Sequence, residues 1–180
     1  SLLPERLAIH RSPLSHNSQL GVPLSVWSLE QHHDLSLIEA GISHPGEMER
    51  LRHCIVPTEG VLTHLGEAHL GNFEGPDHLL REKCTLFKHC ARVYLPEALR
   101  LRCQPHLPQD IVTWAHAQEA GAEHVALQVE VNTSKRLLTL RWQGASATMA
   151  LPFTSDASVH NACTAALVAL HHGATLEDIQ

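Results

Sequence analysis

The chain has no apolar run approaching the ~20 residues that a bilayer-spanning helix needs, and no charged N-terminal segment leading into a short apolar core. No membrane association is therefore expected, and the reading is cytoplasmic. Its 13 Lys and Arg are scattered and outnumbered by 19 Asp and Glu, for a formal charge of -6. Without a basic stripe to lie along phosphates, nucleic acid is not an expected partner. The five cysteines (Cys54, Cys84, Cys90, Cys103 and Cys163) form no C-x-x-C pair and no zinc-finger spacing. That excludes a disulfide or zinc scaffold and points to reduced, mostly buried thiols. Internal repeats and low-complexity linkers are also absent. The chain opens Ser1, Leu2, Leu3, Pro4 without a Met, as a piece of a longer polypeptide does.

What remains is 180 residues at 43% hydrophobic content, which suits one compact domain. Short apolar runs at 6–10, 34–40, 60–65, 91–95 and 110–115 read as strands, separated by helix-like segments at 23–29, 46–53, 76–89 and 96–101. Pro76 and Asp77 mark the start of the third helix. Glu47 and Glu49 fall in the first turn of the second, where they serve the helix end. After Gly121 the pattern changes. Val125, Leu127, Val129 and Val131 alternate with polar neighbours, as do Leu138, Leu140 and Trp142, then Ala147, Met149, Leu151 and Phe153. This period of two predicts antiparallel strands as a small meander or edge sheet around 124–153. Ser158–His172 follows as a helix with a small-residue face, stopped by Gly173. The fold class is thus α/β, a mostly parallel sheet flanked by helices in three layers, spanning 1–180: a parallel part over 1–120, antiparallel strands over 121–155 and a last helix over 156–173.

Chemistry is expected along Val61–Phe87. There an apolar run (Val61, Leu62) passes into a loop carrying His64, Glu67 and His69, then into a helix carrying Lys83. Parallel strands end at one edge, where ligands meet helix N-termini and free backbone groups. With 16 His in the chain, two neighbouring imidazoles are weak evidence alone. A second segment strengthens them, in which Leu35, Leu37 and Ile38 deliver Glu39 to a strand end. Taken singly, Lys83 reads as a solvated helix lysine and Asn161 as an ordinary helix-start residue. Asn17 and His44 read equally as turn residues and as substrate-side groups. Two other readings stay open. One is a metal-dependent hydrolase holding a transition metal at ~2.1 Å from His64, His69 and His44; the other is a noncatalytic binding domain.

Four segments in order, NSQLGVP (Asn17–Pro23), EAGISHPGEM (Glu39–Met48), THLGEAHLGNF (Thr63–Phe73) and EKCTLF (Glu82–Phe87), resemble the central ATP-binding domain of the Mur ligases. The likeness covers most of the chain and is strongest over 11–90. Within the family it is nearest the branch that adds D-alanyl-D-alanine to a UDP-N-acetylmuramoyl-tripeptide, in the form fused to an alanine racemase. The resemblance implies a P-loop NTPase-like fold and an ATP- and magnesium-dependent ligase of cytoplasmic peptidoglycan synthesis, which activates a carboxylate as an acyl phosphate. It implies that Glu39 and His69 bind magnesium, that Lys83 is carbamylated and that Asn161 meets adenine. Ser158 stands where relatives often carry another Asn.

The family's G-x-x-x-x-G-K-[ST] phosphate loop is absent, and the resemblance begins just downstream of its place. This predicts a fragment inactive alone, without the family's phosphate-loop strand and helix and its flanking domains. Loss of a central strand exposes sheet edges, leaving a homodimer or a rearranged edge open.

Overall fold

The computed structural model describes residues 3, 7–66, 70–119, 125–153 and 155–180. The chain order is β1 (Ile9–Arg11), α1 (Gly21–Trp27), β2 (Leu35–Leu37), α2 (Glu47–Ile55), β3 (Glu59–Val61), α3 (Pro76–Cys84), β4 (Arg92–Pro96), α4 (Glu97–Cys103), β5 (Ile111–His116), β6 (Leu127–Asn132), β7 (Leu137–Trp142), β8 (Ala145–Ala150), α5 (Asp156–His171) and α6 (Leu176–Ile179). The strands form two sheets. β1 and β2 pair in parallel, with Ile9 opposite Leu35. The other six run in the order β3-β4-β5-β6-β7-β8. β3 to β6 are parallel; β7 and β8 are antiparallel.

The antiparallel part is not a separate meander. β6 belongs to both halves, with Leu127 opposite Trp114 in the parallel ladder and Val129 opposite Leu140 in the antiparallel one. Burial follows from this position. β4 and β5 are buried along nearly their whole length, because a parallel sheet carries helices on both faces. β7 alternates between buried and half-exposed positions.

α5 covers one face through Val159, Cys163, Ala166, Leu167 and Leu170, which pack on Trp114, Leu127, Val129, Leu138 and Leu140. Inside that layer Trp114 Nε1–H donates to Thr164 Oγ1 at 2.9 Å, so the one polar atom of the ring is satisfied in the core. On a second cluster Leu80, Cys84 and Phe87, around α3, meet Leu62, Val93, Leu95 and Cys103. A third joins Val22, Ile42, Met48, Leu51, Phe73 and Leu79, binding α1, α2 and α3 together.

Four elements depart from expectation. The helix foreseen over 76–89 ends at Cys84 and tightens into a 3-10 turn, Thr85–Phe87. Thr85 Oγ1 donates back to the Arg81 carbonyl at 3.1 Å, a local bond that competes with helix propagation. The strands foreseen over 34–40 and 60–65 shrink to Leu35–Leu37 and Glu59–Val61, since only those residues find a ladder partner. α6 was not foreseen, although Thr175 and Asp178 form a capping box. Among the described residues no helix is long and apolar enough to cross a membrane.

Candidate functional site

Because β1 and β2 are parallel, both deliver their C-terminal ends to one edge. Ser12 follows β1 and donates its N–H to the Leu37 carbonyl at 3.0 Å. Its Oγ accepts the Glu39 N–H at 3.2 Å, fixing the chain just past β2. Ile38 and Ala40 pack into the α1/α2/α3 cluster, and Glu39 between them is exposed. Asn17, just before α1, donates its Nδ2–H to Glu39 Oε1 at 2.6 Å. Gly41 N–H returns to the Asn17 carbonyl at 2.8 Å. A Cβ on Gly41 would sit 3.2 Å from Asn17 Cγ and Nδ2, so a larger residue there would have to push the Asn17 side chain aside by a few tenths of an ångström. Asn17 therefore clamps one Glu39 oxygen, while Oε2 accepts no hydrogen bond among the described residues.

The loop beyond Glu39 is stitched to the segment that carries Lys83. Ser43 and His44 donate their N–H groups to Glu47 Oε2 at 2.7 and 3.0 Å. Those bonds hold the Glu47 carboxyl below the usual carboxylate range. Asn72 Nδ2–H donates to the Ser43 carbonyl at 2.9 Å, and Gly46 N–H to Glu82 Oε2 on α3 at 2.8 Å. Lys83, the next residue, is half-buried, and burial pushes its ammonium pKa down. It has no hydrogen bond or ion pair among the described residues. His69 and Glu67 lie outside the described residues; Leu70, which follows His69, packs on the same apolar cluster as Phe73 and Leu79.

A cavity of about 370 Å³ opens between the loop after β3, α3, α4 and the first turns of α5. Thr63, His64, Leu79, Leu99, Arg102 and His160 line it. Arg102 donates to Asp77 Oδ1 at 2.7 Å. His160 stands beside three rings, with centroids 5.2 Å from Trp114, 6.0 Å from His64 and 6.2 Å from His116. Sequence reasoning missed His116 and His160. The available signal was position, since His116 closes strand β5 at the edge that also receives the chain after β3.

Burial, then the neighbouring His116 and His64, lowers the His160 pKa, with Asp156 and Glu119 opposing. The folded state then binds fewer protons here than the unfolded chain below the ordinary histidine value of ~6.5, so stability present above that value is lost as pH falls through it. Urea midpoints should drop between pH 7.5 and 5.5, and His160→Gln should flatten that part of the slope. An unchanged slope in the variant would assign the pH dependence to other groups.

The expected site residues are thus partly gathered. Asn17 and Glu39 touch, and the loop from Glu39 through His44 is bonded to the helix of Lys83. The His44 side chain is exposed, and His44 is tied down through its backbone. Asn161 is exposed on α5, next in sequence to His160, and Ser158 is engaged at the helix start, where it bonds Ser155 Oγ. Of the three histidines in the hydrolase reading, His69 lies outside the described residues; among the described residues no group of three or more His, Cys, Asp or Glu could hold a metal ion.

Residues 5–169 match the family model described as Mur ligase middle domain. The chain is 23% identical over 167 residues to the UDP-N-acetylmuramoyl-tripeptide--D-alanyl-D-alanine ligase of Haemophilus influenzae, covering 91% of this chain and 36% of that protein. The ligase of the same name from Mycobacterium bovis is 27% identical over 180 residues, covering 93% and 34%. The chain therefore spans about a third of the length of these curated relatives. Among solved structures, MurF from Acinetobacter baumannii superposes with a TM-score of 0.79 at 24% identity, covering 99% of this chain and 40% of that one. MurF from Thermotoga maritima, in complex with ADP, gives 0.77 at 17% identity, covering 99% and 43%. At these identities the structures show a shared fold.

Proposed function

The chain belongs to the Mur ligase family, whose middle domain it matches over most of its length, and from that premise we propose that it is the nucleotide-handling part of an ATP-dependent ligase. That ligase joins D-alanyl-D-alanine to a UDP-N-acetylmuramoyl-tripeptide in cytoplasmic peptidoglycan synthesis. The segment RSPLSHNSQLGVPLSVW favours the form fused to an alanine racemase. Relatives with the tripeptide ligase name support the substrate class, and the MurF bound to ADP supports the nucleotide.

The observation that carries the reading is the Asn17–Glu39 clamp at the strand edge, with its loop bonded through Glu82 to the helix of Lys83. Activation of a carboxylate by ATP brings two anions together, and divalent cations offset their repulsion. Magnesium prefers hard oxygen ligands. Glu39 fits that preference, since Asn17 fixes one oxygen and leaves the other open. Glu39 and His69 are assigned as the magnesium-holding residues. Lys83 joins them as a carbamate, which forms only on a neutral amine. Its burial favours that neutral form. Asn17 and His44 serve the substrate side, and Asn161, exposed beside His160, meets the adenine.

The test is a magnesium titration of the full-length ligase carrying Glu39→Gln. The amide keeps the shape and the Asn17 contact region but removes the charge, so the magnesium required for half-maximal turnover should rise roughly 10–100-fold. A midpoint equal to that of the wild type would remove Glu39 from the metal site.

A further inference from the structure

Two residues of the four family-like segments, Asn72 and Glu82, have no part in the chemistry assigned above, and both bond the loop that follows Glu39. That loop, Ser43 to Gly46, has three backbone N–H groups, because Pro45 has none. Ser43 and His44 give theirs to Glu47 Oε2 at 2.7 and 3.0 Å, bonds internal to the loop and the helix it opens. Gly46, left-handed at φ 79°, caps α2, and its N–H goes across to Glu82 Oε2 at 2.8 Å. Among the described residues this is the one hydrogen bond between α3 and the loop. Asn72 Nδ2–H reaches the Ser43 carbonyl at 2.9 Å from a different segment. Glu82 is itself steadied: its side chain is 20% exposed, and Oε1 lies 4.0 Å from Nε2 of His78, one turn earlier on α3. His78 Nδ1 accepts the Glu74 N–H at 3.3 Å, which leaves the ring hydrogen on the nitrogen that faces Glu82.

We propose, resting on the magnesium reading above, that Glu82 is a positioning residue of the ligase: acting through Gly46, it sets the Glu39 loop against the helix of Lys83. Two carboxylates divide the task. Glu47 shapes the loop from within, so the loop keeps its form when Glu82 is removed. Glu82 fixes where that form stands relative to α3. Apolar contacts join the same elements, since Ile42, Met48 and Leu79 share one cluster, but apolar attraction is non-directional. A hydrogen bond to a carboxylate is short and directional, and it adds the register that packing leaves loose. Register matters here because magnesium demands near-ideal octahedral geometry at about 2.0–2.1 Å. Ligands drawn from two segments meet that demand only if the segments are held in fixed relation.

The experiment compares Glu82→Ala, Glu82→Gln and Glu82→Asp in the full-length ligase. Manganese binding in the presence of ADP is followed by loss of the free-ion electron paramagnetic resonance signal, and the magnesium midpoint of turnover is measured alongside. Glu82→Ala should weaken manganese binding and raise the magnesium midpoint, each by roughly tenfold, the lower end of what loss of an outer partner of a metal ligand brings. Glu82→Gln keeps an oxygen in reach of the Gly46 N–H and should stay close to the wild type. Glu82→Asp keeps the charge but draws the carboxylate back by one methylene, so it should behave like Glu82→Ala and decides the matter if the alanine variant folds poorly. Wild-type manganese affinity in Glu82→Ala or Glu82→Asp, with a lowered thermal midpoint alone, would make Glu82 a structural residue and overturn the proposal. Glutamine as weak as alanine would also overturn it, by showing that charge and not the bond to Gly46 matters. Glu39→Gln run in parallel separates the two readings: weakened manganese binding there with no effect at Glu82 sinks only the positioning role, whereas wild-type binding in Glu39→Gln removes the metal edge and this role with it.

Discussion

Lys83→Ala in the full-length ligase is expected to lower turnover by about 100-fold or more, the scale on which removing one charge-stabilising group from an active site acts. An ammonium at this position would repel divalent cations. A carbamate reverses that sign and supplies oxygen ligands, and its formation needs the amine to lose its proton. Burial without a hydrogen-bond or ion-pair partner among the described residues lowers the cost of that loss. Small carboxylates added to the alanine variant should restore part of the rate, because they replace the missing oxygens in the space vacated by the side chain. Lys83→Arg, whose guanidinium keeps its charge, should not be active. Turnover of Lys83→Ala near that of the wild type would leave Lys83 as a helix lysine and no more.

Gly60→Ala should destabilise the fold by about 1–3 kcal/mol, the usual cost of an added carbon in a packed core. A Cβ at Gly60 would lie 2.3 Å from Phe87 Cδ1 and 2.9 Å from its Cε1. Phe87 is itself buried among Leu62, Leu80 and Val93, so the ring cannot swing away without displacing the turn that follows α3. The strain should reach Lys83, four residues earlier in sequence, and lower turnover as well as stability. Urea unfolding of the full-length protein monitored at Trp fluorescence would measure the first effect. A midpoint unchanged from the wild type would mean that the Thr85–Phe87 turn is softer than its burial indicates.

The strands of the antiparallel part were legible because each has one face in the core and one in water, and that condition writes a period of two into β7, where Leu138 and Leu140 are buried between exposed or half-exposed neighbours. Lengths of the parallel strands were not, since a buried apolar run looks the same whether three or seven residues find partners. Leu35 to Leu37 pair with β1 and Ile38 does not, although all four positions are equally compatible with a strand by pattern. Glu39 was legible as a carboxylate at a strand end. Its clamp was not: Asn17 lies 22 residues away, and nothing local to either segment announces the other.

By itself, then, the sequence determined the class of fold, most of its elements in order and the residue types offered at the strand ends, because these follow from local periodicity and caps, while the four quoted segments carried the resemblance to the family. The tertiary structure alone decided which of those residues meet. It joined Asn17 to Glu39, bonded the Glu39 loop to the helix of Lys83, and grouped His64, His116 and Trp114 around His160. Contacts of that kind depend on how separate segments stack on a sheet, a property of the packed core as a whole that no single stretch of chain contains.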